Sequence, residues 1–576
     1  MKDTGLKSEC GFRLALPGQL ETHMILDQSR IQRETELGIW PNRVLTDYLM
    51  EYIAENPDRP ALISHRADSG QITTVSYGEI NERAERVGGN LMSLGIRPGD
   101  VVSFQLPNWW EFVAIHLACL KIGAISNPVM PIFRARELEY MIGFAESRVF
   151  IVPQTFQNFD YEGLGEQLLE RIPSLQHLIV VGGKGKNAFE TLLLKEPEKR
   201  PSSQSPHSPN DVVELLYTSG TTGKPKGVMH TSNTLLSSAS QVTQRLALGS
   251  NDIGFMPAPF AHQIGFCFGM MTPIKLGIPL VIMDVWNPAI AVDLIEKYRV
   301  TYTCASTPFL VDLSEVPEVE NRDLSCFRMF MTAGAPILEP MVNKVLKKIP
   351  VNLVPGWGMT EVIQVTATEP FTSLAGPLND GAALPGNEVR VVDDKGKVLP
   401  AGKTGFLQCR GSTLFVGYCK KPDLYSVDSE GWFDTGDLAW MDENGNIRIA
   451  GRDKDIIIRG GENIPVLEVE SLISELPQVH DVALVGMPDE RLGERGCVFV
   501  TLLPDTKLSF AEMVEYLKSQ ELAKQYFPER MEIIKEMPRT PSGKIQKFVL
   551  RDRAAKLVES ETSYTKKPNL KLPDDL

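Results

Sequence analysis

The sequence predicts an α/β protein with two unequal parts, a large N-terminal region of layered α/β subdomains with a small β-barrel-like region, and a smaller α+β domain at the C-terminus. Three observations predict this fold class. Helix and strand patterns alternate through the first part of the chain, short strands with turns replace them from about Glu388, and a new helix and strand pattern follows Arg452. We therefore expect the two parts to be 1–453 and 454–576.

The first alternation of helix and strand lies in the N-terminal quarter of the chain. Ser76 and Glu79 are placed as a capping box, apolar residues then recur at spacings of three and four, and Gly95 ends the predicted helix. The run "VVSFQL" at 101–106 predicts a buried strand, and the apolar helix pattern "EFVAIHLACLKIG" follows it. Alternation of this kind favours a layered parallel sheet.

The stretch "LLYTSGTTGKPKGVMH" at 215–230 follows the same α/β pattern. A strand pattern at 212–216 leads into its glycine-rich centre, and the apolar face of a helix lies at 235–246. The glycine-rich piece is therefore predicted to be a loop that follows a strand, which is where open α/β sheets bind their ligands.

The later elements differ from this alternation. The segments "EVRVVDDKGKVL", "GFLQCRG" and "GNIRIAGR" predict the short strands of the small β region. Beyond them, a helix pattern at 469–476 precedes the strands "DVALVGM" and "CVFVTLL", a further helix near 510–522 and the glycine-containing loop "PRTPSGKIQK". These elements have the size expected for one compact α+β domain.

Composition argues against several classes of function. Acidic residues outnumber basic residues by 73 to 59, so the formal net charge of −14 argues against a protein that binds nucleic acid by broad charge neutralisation. The eight cysteines form no C-x-x-C pair, which favours reduced thiols and a cytoplasmic location. No apolar run is long enough to predict an integral membrane segment. The oligomeric state stays open between a monomer and a homodimer.

The glycine-rich loop does not match the phosphate loop of ordinary nucleotide hydrolases. That loop requires G-x-x-x-x-G-K-[ST], whereas here Gly220 and Gly223 are only three residues apart and Lys224 is followed by Pro225. The loop still holds what a polyphosphate needs, because its glycines allow close backbone approach and its hydroxyl and ammonium groups can bind phosphate oxygens. A loop of this composition is by itself equally compatible with a mobile surface turn.

The complete string "YTSGTTGKPKG" resembles the phosphate loop of the acyl-adenylate-forming superfamily, which includes acyl-CoA synthetases, peptide-synthetase adenylation domains and luciferases. Four more segments resemble motifs of that superfamily and follow its order: "WGMTE" at 357–361, "DTGD" at 434–437, "GRDKDIIIRGGENI" at 451–464 and "PSGKIQK" at 541–547. The resemblance therefore covers nearly the whole chain. Segments such as "LPNWWEF", "NPVMPIFRARELEYM" and "APFAHQIGF" look like the branch that contains medium-chain fatty acid and cyclohexanecarboxylate CoA ligases.

The resemblance implies a large adenylate-forming domain, a small mobile C-terminal domain and the activity of an AMP-forming acid–thiol ligase. A carboxylate is a poor electrophile at neutral pH, and the superfamily couples it to ATP to give an acyl-adenylate and pyrophosphate before the CoA thiol displaces AMP. The implied cofactors are ATP, Mg²⁺ and coenzyme A, and the implied partner is a small-molecule carboxylic acid, here a medium-chain fatty or alicyclic acid. Fixed cations and hydrogen-bond donors should matter most, because charge develops at one phosphorus or carbonyl centre in each step.

The resemblance assigns catalytic roles to three residues. Lys544 would bridge the substrate carboxylate and the α-phosphate during adenylation, Glu361 would bind Mg²⁺, and His262 would lie near the carboxyl end of the acyl group. Composition alone would make Lys544 a solvated surface lysine and His262 a structural histidine. Their places in "PSGKIQK" and "APFAHQIGF" favour the functional interpretation.

The same resemblance assigns the residues that bind the other groups. The phosphates would be held by Thr218, Ser219, Gly220, Thr221, Thr222, Gly223 and Lys226, and the nucleoside by Gly334, Ala335, Pro336, Trp357, Gly358, Met359, Thr360, Asp437 and Arg452. The acyl pocket would be lined by Ile264, Phe266, Ile363 and Val365. Lys454 would be the hinge of the C-terminal domain, and Gly460, Gly461 and Glu462 would contact CoA. A lone aromatic such as Trp357 more often packs in a core than covers a base.

Two other functions remain open from the sequence. One is adenylation followed by loading of a carrier-protein phosphopantetheine, although the chain has no evident carrier motif. The other is a nucleotide-binding protein without turnover, although Lys544, Glu361, Asp437 and Arg452 all occur together. Acid-dependent release of pyrophosphate from ATP, followed by a test of free CoA as acceptor, separates the three functions.

Overall fold

A computed structural model of the protein describes residues 23–565 apart from 203, 219–224, 336, 375, 453–456, 460–461, 490–491, 521 and 541–542. Its strands are, in chain order, β1 Pro60–His65, β2 Ile72–Ser76, β3 Val101–Phe104, β4 Ile125–Pro128, β5 Val149–Pro153, β6 Thr155–Phe156, β7 Phe159–Asp160, β8 His177–Val181, β9 Val212–Thr218, β10 Lys226–Thr231, β11 Gly254–Met256, β12 Leu280–Met283, β13 Tyr302–Ala305, β14 Met329–Thr332, β15 Asn352–Trp357, β16 Thr366–Ala367, β17 Ala382–Ala383, β18 Asn387–Val392, β19 Gly405–Gly411, β20 Phe433–Met441, β21 Ile447–Arg452, β22 Ile457–Arg459, β23 Glu462–Ile464, β24 Val479–Asp489, β25 Gly493–Leu502 and β26 Arg530–Ile533. Its α-helices are α1 Gln28–Glu36, α2 Leu45–Glu55, α3 Tyr77–Ser93, α4 Trp110–Ile122, α5 Ala135–Phe144, α6 Tyr161–Arg171, α7 Phe189–Leu192, α8 Ser232–Arg245, α9 Thr272–Leu276, α10 Pro288–Lys297, α11 Thr307–Glu315, α12 Glu339–Leu346, α13 Val466–Ser474, α14 Phe510–Ser519 and α15 Lys547–Thr565.

The first helix–strand–helix unit follows the sequence pattern closely. Ser76 caps α3, and its hydroxyl accepts a hydrogen bond from the Glu79 backbone N–H while the Glu79 carboxylate accepts one from the Ser76 backbone N–H. The helix ends before Gly95, which has the left-handed φ of +87°. The predicted strand at 101–106 is shorter, since β3 ends at Phe104. Helix α4 is buried on every side, as expected for a helix between two layers.

Two mainly parallel sheets form the large N-terminal part, which confirms the predicted layered α/β fold. The larger sheet runs in the order β17-β16-β15-β14-β13-β11-β12-β1-β2, with parallel pairing from β15 to β1 and antiparallel strands at both ends. The second sheet runs β10-β9-β4-β3-β5-β8 and is parallel except for β10.

The glycine-rich stretch lies at the edge of this second sheet. As predicted, a strand, β9, precedes the glycine-rich centre of the stretch in the chain. The sequence pattern did not reveal that the chain then returns as β10, antiparallel to β9, with Lys226 opposite Thr218. Strands β9 and β10 therefore pair as neighbours in the chain, residues 219–224 between them lie outside the described residues, and the predicted helix begins only after β10, at Ser232.

The small β region and the C-terminal part follow in the predicted order. The small region is an antiparallel sheet in the order β18-β19-β20-β21. The C-terminal part is a sheet in the order β23-β22-β25-β24, with β26 beside β25, packed against α13 and α15. The division of the chain at residue 453 stays a prediction, because 453–456 lie outside the described residues. No helix in the described part of the chain is long and apolar enough to cross a lipid bilayer.

Candidate active site

A cleft of about 3220 Å³ lies between the N-terminal and C-terminal parts of the protein. Thr218 at the end of β9, Gly334 and Ala335 after β14, and Trp357 at the end of β15 form part of its wall. Lys544 reaches the same cleft from the C-terminal part. The carboxyl ends of parallel strands therefore face this cleft, as is usual for ligand sites of α/β proteins.

Glu361 is fixed in the wall of the cleft by a buried tyrosine. The hydroxyl of Tyr418 donates a 2.8 Å hydrogen bond to Glu361 Oε1 and accepts a 3.0 Å bond from Lys226 Nζ. Lys226 Nζ lies 4.0 Å from the same carboxylate oxygen. Burial and the charge of Glu361 raise the pKa of Tyr418 above its usual value, so its phenol stays protonated. A carboxylate and an ammonium group thus face the cleft side by side.

Asp437 is held from two sides. The indole of Trp357 donates a 2.8 Å hydrogen bond from Nε1 to Asp437 Oδ2, and Arg452 Nε lies 3.3 Å from Oδ1. The pairing of β20 with β21 sets Asp437 opposite Arg452. Trp357 is only 7% exposed and packs in the core of the small β region, as expected for a lone aromatic, yet its polar edge orients a cleft carboxylate.

The segment between β15 and β16 folds back sharply beside these groups. A Cβ at Gly358 would lie 1.9 Å from the carbonyl oxygen of Ile363, so no larger residue fits there. Ile363 has a φ of +58°, which is unfavourable for a β-branched side chain, and it lines the cleft. The carbonyl of Thr360 accepts a 2.7 Å hydrogen bond from His230 Nε2. This strained turn presents Met359 and Thr360 to the cleft.

His262 precedes a π-helix that spans Ile264–Met271. Its ring nitrogen Nδ1 accepts a 3.3 Å hydrogen bond from the backbone N–H of Ile264. Burial, together with the positive charge of Lys544, lowers the pKa of His262 to about 4. The imidazole is therefore neutral at pH 7. π-helical turns are rare and occur often at functional sites.

Two of the four predicted acyl-pocket residues line the cleft and two do not. Ile264 and Ile363 line the cleft, whereas Phe266 is fully buried with its ring 4.7 Å from that of His116. Phe268 lines the cleft instead. Val365 packs in the core of the small β region and does not reach the cleft. Phe266 lies two positions from Ile264 on a helix, so its side chain points to another face.

Lys544 is carried to the cleft by a short loop of the C-terminal part. Its backbone N–H donates a 3.0 Å hydrogen bond to Thr540 Oγ1, and Arg539 donates a 2.7 Å bond to the carbonyl of Gly543. Gly543 has a φ of +82° and packs against Pro308 of α11, where an added Cβ would lie 3.0 Å from the proline ring. The loop therefore rests directly on the N-terminal part.

Sequence reasoning missed two side chains that support these groups. Tyr418 lies 57 positions from Glu361, and nothing in its own segment indicates the contact. Lys547 forms a 2.7 Å ion pair with Glu470, and both line the cleft. A signal was present for Lys547, because it is the last residue of the quoted motif "PSGKIQK".

Several predicted site residues lie outside the described residues. They are Ser219, Gly220, Thr221, Thr222 and Gly223 of the phosphate loop, Pro336, the hinge residue Lys454, and Gly460 and Gly461. Glu462 is described only as the first residue of β23.

The described residues fit a nucleotide with its metal. The hydroxyl of Thr218 is buried at the start of the phosphate loop and has no hydrogen-bond partner among the described residues. A phosphate oxygen would supply that partner. Glu361 offers a carboxylate to the same cleft, and carboxylate oxygen is a ligand that Mg²⁺ prefers.

The fold and the cleft are those of an adenylate-forming enzyme, with a large N-terminal domain and a small C-terminal domain. Residues 49–419 match the family model described as AMP-binding enzyme, and residues 468–544 match the AMP-binding enzyme C-terminal domain. The chain therefore belongs to the AMP-binding enzyme family. It is an AMP-forming acid–CoA ligase, with ATP, Mg²⁺ and CoA as cofactors and a small-molecule acid as substrate.

Known relatives resemble the chain over nearly its full length. It is 36% identical to the medium-chain fatty-acid–CoA ligase of Escherichia coli strain K12 over 92% of this chain and 94% of the relative. The anthranilate CoA ligase AuaEII in complex with anthranoyl-AMP has a TM-score of 0.82 at 25% identity, covering 90% of this chain and 98% of that one. ATP-bound MatB from Rhodopseudomonas palustris has a TM-score of 0.80 at 26% identity, with coverage of 89% and 99%.

Proposed function

We propose that the protein converts a medium-chain fatty acid or an alicyclic acid such as cyclohexanecarboxylate to its CoA thioester through an acyl-adenylate. The observation that carries this proposal is the arrangement of Lys544, His262 and Glu361 around one cleft. The similarity to a ligase named for medium-chain fatty acids supports the choice of acid.

Lys544 acts in the first half-reaction. The acid carboxylate attacks the α-phosphorus of ATP, the bond to the bridging oxygen of the β-phosphate breaks, and pyrophosphate leaves. Negative charge builds up between carboxylate and phosphate, and an ammonium group held there lowers the barrier. Lys544 is close enough to His262 for its charge to help lower the pKa of that residue. Because His262 adjoins the predicted acyl pocket, this supports a position of Lys544 near the carboxylate of the acid.

Lys226, Thr218 and Glu361 hold the triphosphate end. Lys226 supplies a positive charge to the β- and γ-phosphates, and the hydroxyl of Thr218, which has no partner among the described residues, donates to a phosphate oxygen. Glu361 would be the protein ligand for Mg²⁺, and the bound metal would supply positive charge that neutralises the phosphates. Residues 219–223, which lie outside the described residues, would also bind the phosphates according to the sequence motif.

Asp437 and Arg452 hold the ribose, and Gly334 and Ala335 lie against the adenine. The bonds from Trp357 and Arg452 keep the Asp437 carboxylate in one orientation, in which it can accept from ribose hydroxyls. Gly334 has a φ of +79° and bears no side chain, so a flat base can approach its backbone closely. Gly358, Met359 and Thr360 complete the nucleoside wall.

The acyl group occupies the apolar side of the cleft, near His262. Ile264, Phe268 and Ile363 line it, and an apolar tail is the ligand that such a wall favours. Because the imidazole of His262 is neutral, it orients the acid by hydrogen bonding without adding a charge. Chain length depends on where one large side chain closes the pocket.

The second half-reaction requires the C-terminal domain to turn about Lys454 and to withdraw Lys544. The CoA thiol loses its proton, its sulfur attacks the acyl carbonyl, and the bond to AMP breaks. Gly460, Gly461 and Glu462 would line the pantetheine path in that orientation. The hinge and the CoA contacts rest on the sequence motif "GRDKDIIIRGGENI".

Pyrophosphate release in the presence of Mg-ATP and a panel of acids tests this function. Octanoate and cyclohexanecarboxylate should stimulate release, whereas anthranilate and malonate should not. Free CoA should then yield the thioester with release of AMP. Release without CoA transfer, together with transfer to a phosphopantetheinylated carrier protein, would favour the carrier-loading alternative. No acid-dependent release would favour a nucleotide-binding protein without turnover.

A further inference from the structure

Tyr418 lies between the two charged groups that face the triphosphate end of the cleft. Its hydroxyl is 2.8 Å from Glu361 Oε1 and 3.0 Å from Lys226 Nζ, and the ammonium nitrogen also lies 4.3 Å from the centre of its ring. The tyrosine is only 2% exposed. It is therefore a permanent part of this wall, and the contacts do not depend on a flexible surface side chain.

The backbone around Tyr418 is attached to both segments that carry these charges. The N–H of Cys419 donates a 2.8 Å hydrogen bond to the carbonyl of Gly227, next to Lys226. The N–H of Phe415 donates a 2.8 Å bond to the carbonyl of Glu361. The rings of Phe415 and Tyr418 pack 4.7 Å apart. The position of the hydroxyl is thus set by the same hydrogen bonds that position Lys226 and Glu361.

Only one direction of hydrogen bonding satisfies all three groups. An ammonium group can only donate, and an ionised carboxylate can only accept. A phenol hydroxyl can accept one hydrogen bond and donate its own proton in another. Lys226 therefore donates to Tyr418, and Tyr418 donates to Oε1 of Glu361. Among the described residues, no hydrogen bond reaches the other carboxylate oxygen, Oε2.

The hydroxyl also keeps the two opposite charges apart. Lys226 Nζ and Glu361 Oε1 are 4.0 Å apart, which is longer than a direct charged hydrogen bond. Without the hydroxyl between them, attraction in this buried setting would draw the ammonium onto the carboxylate. In a direct ion pair, Lys226 and Glu361 would neutralise each other. Lys226 would then bind the phosphates less well, and Glu361 would bind the metal less well.

We propose that Tyr418 is a positioning residue for Mg-ATP, which holds the Glu361 carboxylate in place for the metal and keeps the Lys226 ammonium from closing onto it. This inference rests on the proposed function of Glu361 and Lys226. It assigns a role to a residue outside all five sequence motifs that indicated the activity.

The test compares Tyr418→Phe with Tyr425→Phe in the full chain. Phenylalanine keeps the buried ring of Tyr418 and removes only the hydroxyl. Tyr425 is a matched control, because its ring packs 5.0 Å from the same Phe415 and its hydroxyl donates to the Phe415 carbonyl at 3.3 Å, away from Glu361. The probe is α,β-methylene-ATP, which cannot donate its adenylyl group because its α- and β-phosphorus atoms are joined through carbon, and its Kd is measured by calorimetry with and without Mg²⁺.

Tyr418→Phe should weaken binding of the Mg²⁺ complex about ten-fold or more, because losing the hydrogen-bond partner of a metal ligand commonly has an effect of that size. It should also raise the Mg²⁺ concentration that gives half-maximal pyrophosphate exchange, and it should raise KM for Mg-ATP more than it lowers kcat. Tyr425→Phe should match wild type in all three measurements, namely the affinity for the Mg²⁺ complex, the Mg²⁺ requirement and KM relative to kcat. A merely structural role would instead lower affinity equally with and without Mg²⁺. That outcome, or an unchanged Tyr418→Phe, overturns the inference.

A double-mutant cycle with Glu361→Gln covers the case in which Tyr418→Phe does not fold. Glutamine at position 361 is neutral, so removing the Tyr418 hydroxyl leaves no buried charge without a hydrogen-bond donor. The double variant is therefore expected to fold, and its binding is compared with that of Glu361→Gln alone. The two should bind the Mg²⁺ complex equally. A ten-fold weaker binding by the double variant than by Glu361→Gln alone would contradict the inference. Failure of wild type to bind Mg-ATP would instead reject the proposed function itself.

Discussion

His480 and Glu315 form an ion pair between the two domains, with His480 Nε2 3.4 Å from Glu315 Oε2. The other ring nitrogen of His480 lies 3.2 Å from Asp481, and Lys344 lies 3.1 Å from Glu315. Hydrogen bonds from His480 to the two carboxylates raise its pKa to about 10, and the bond from His480 lowers the pKa of Glu315 to about 2. Both partners are therefore charged at pH 7, and they favour the orientation that brings Lys544 to the cleft.

Glu315→Gln should weaken this orientation modestly. Both side chains are about one-third exposed, and such pairs contribute about 0.2–1 kcal/mol, so the rate of pyrophosphate exchange should fall no more than about five-fold. The thioester step from supplied acyl-adenylate should not fall. The pH dependence follows from His480: its contribution is complete below its unfolded pKa near 6.5 and is lost as pH rises through about 10.

The rate ratio of wild type to Glu315→Gln, measured by pyrophosphate exchange, should thus be largest near pH 6–7 and approach one near pH 10. The exposed Glu320, five residues along the chain, provides the control Glu320→Gln, which should match wild type at every pH. A ratio that stays constant from pH 6 to 10 would rule out His480 as the titrating partner.

His262→Gln should reduce adenylation without changing its pH dependence above pH 5.5. The loss of a hydrogen-bonding ring should lower kcat/KM about ten-fold, corresponding to about 1.4 kcal/mol. Because burial and Lys544 lower the folded pKa of His262 to about 4, protonation begins only as pH falls toward that value. The check is a pH profile of pyrophosphate exchange for both proteins. A wild-type inflection near pH 6.5 that disappears in the variant would show that His262 titrates as a base.

Glu214→Gln should stabilise the protein at high pH. Glu214 is fully buried in β9, its Oε1 has no partner among the described residues, and burial raises its pKa to about 8. A carboxyl whose folded pKa is raised loses its contribution to stability as pH rises from its unfolded pKa, near 4.3, through its folded pKa. Wild type should therefore melt progressively earlier than Glu214→Gln between pH 5 and 9 in calorimetry.

The exposed Glu166 on α6 supplies the control for this measurement, since Glu166→Gln leaves every buried group in place. Its melting temperature should follow that of wild type at each pH. An equal difference between wild type and Glu214→Gln at pH 5 and pH 9 would mean that Glu214 is not protonated in the folded protein.

Trp357→Phe should raise KM for ATP about ten-fold while leaving kcat nearly unchanged. The substitution keeps the aromatic packing and removes the N–H that donates to Asp437, and hydrogen bonds to charged groups contribute about 1.5–3 kcal/mol. Steady-state kinetics with varied ATP provides the measurement. Trp432→Phe alters a tryptophan of the same small β region that stacks on Arg390 and should leave KM unchanged. Equal effects of the two substitutions would remove the role given to the indole N–H.

Local signals in the sequence were sufficient for much of the fold. The capping box of Ser76 and Glu79 predicted the start of α3, and described residues of all five motifs line one cleft. Strand β10 escaped prediction because its residues, "KGVMHT", are continuous with the glycine-rich loop and show no clear alternation. Hydrogen bonding to β9 makes it a strand, and that pairing is not visible in its own sequence.

The acyl pocket was harder to predict because its backbone is irregular. The segment after His262 forms a π-helix that the sequence pattern did not predict, and on this helix Phe268 lines the cleft where Phe266 was expected. Ile363 has a positive φ, which breaks strand alternation and turns Val365 away from it. Tyr418 was missed because its partners are distant in sequence.

The most direct test of the mechanism separates the two half-reactions in Lys544→Ala. With Mg-ATP and octanoate, wild type should form octanoyl-AMP, and Lys544→Ala should form at least about a hundred-fold less, because one preorganised donor contributes about 2.7–4 kcal/mol. Given synthetic octanoyl-AMP and CoA, the variant should produce thioester at a rate close to that of wild type. Equal losses in both half-reactions, or normal adenylation by the variant, would contradict the role of Lys544.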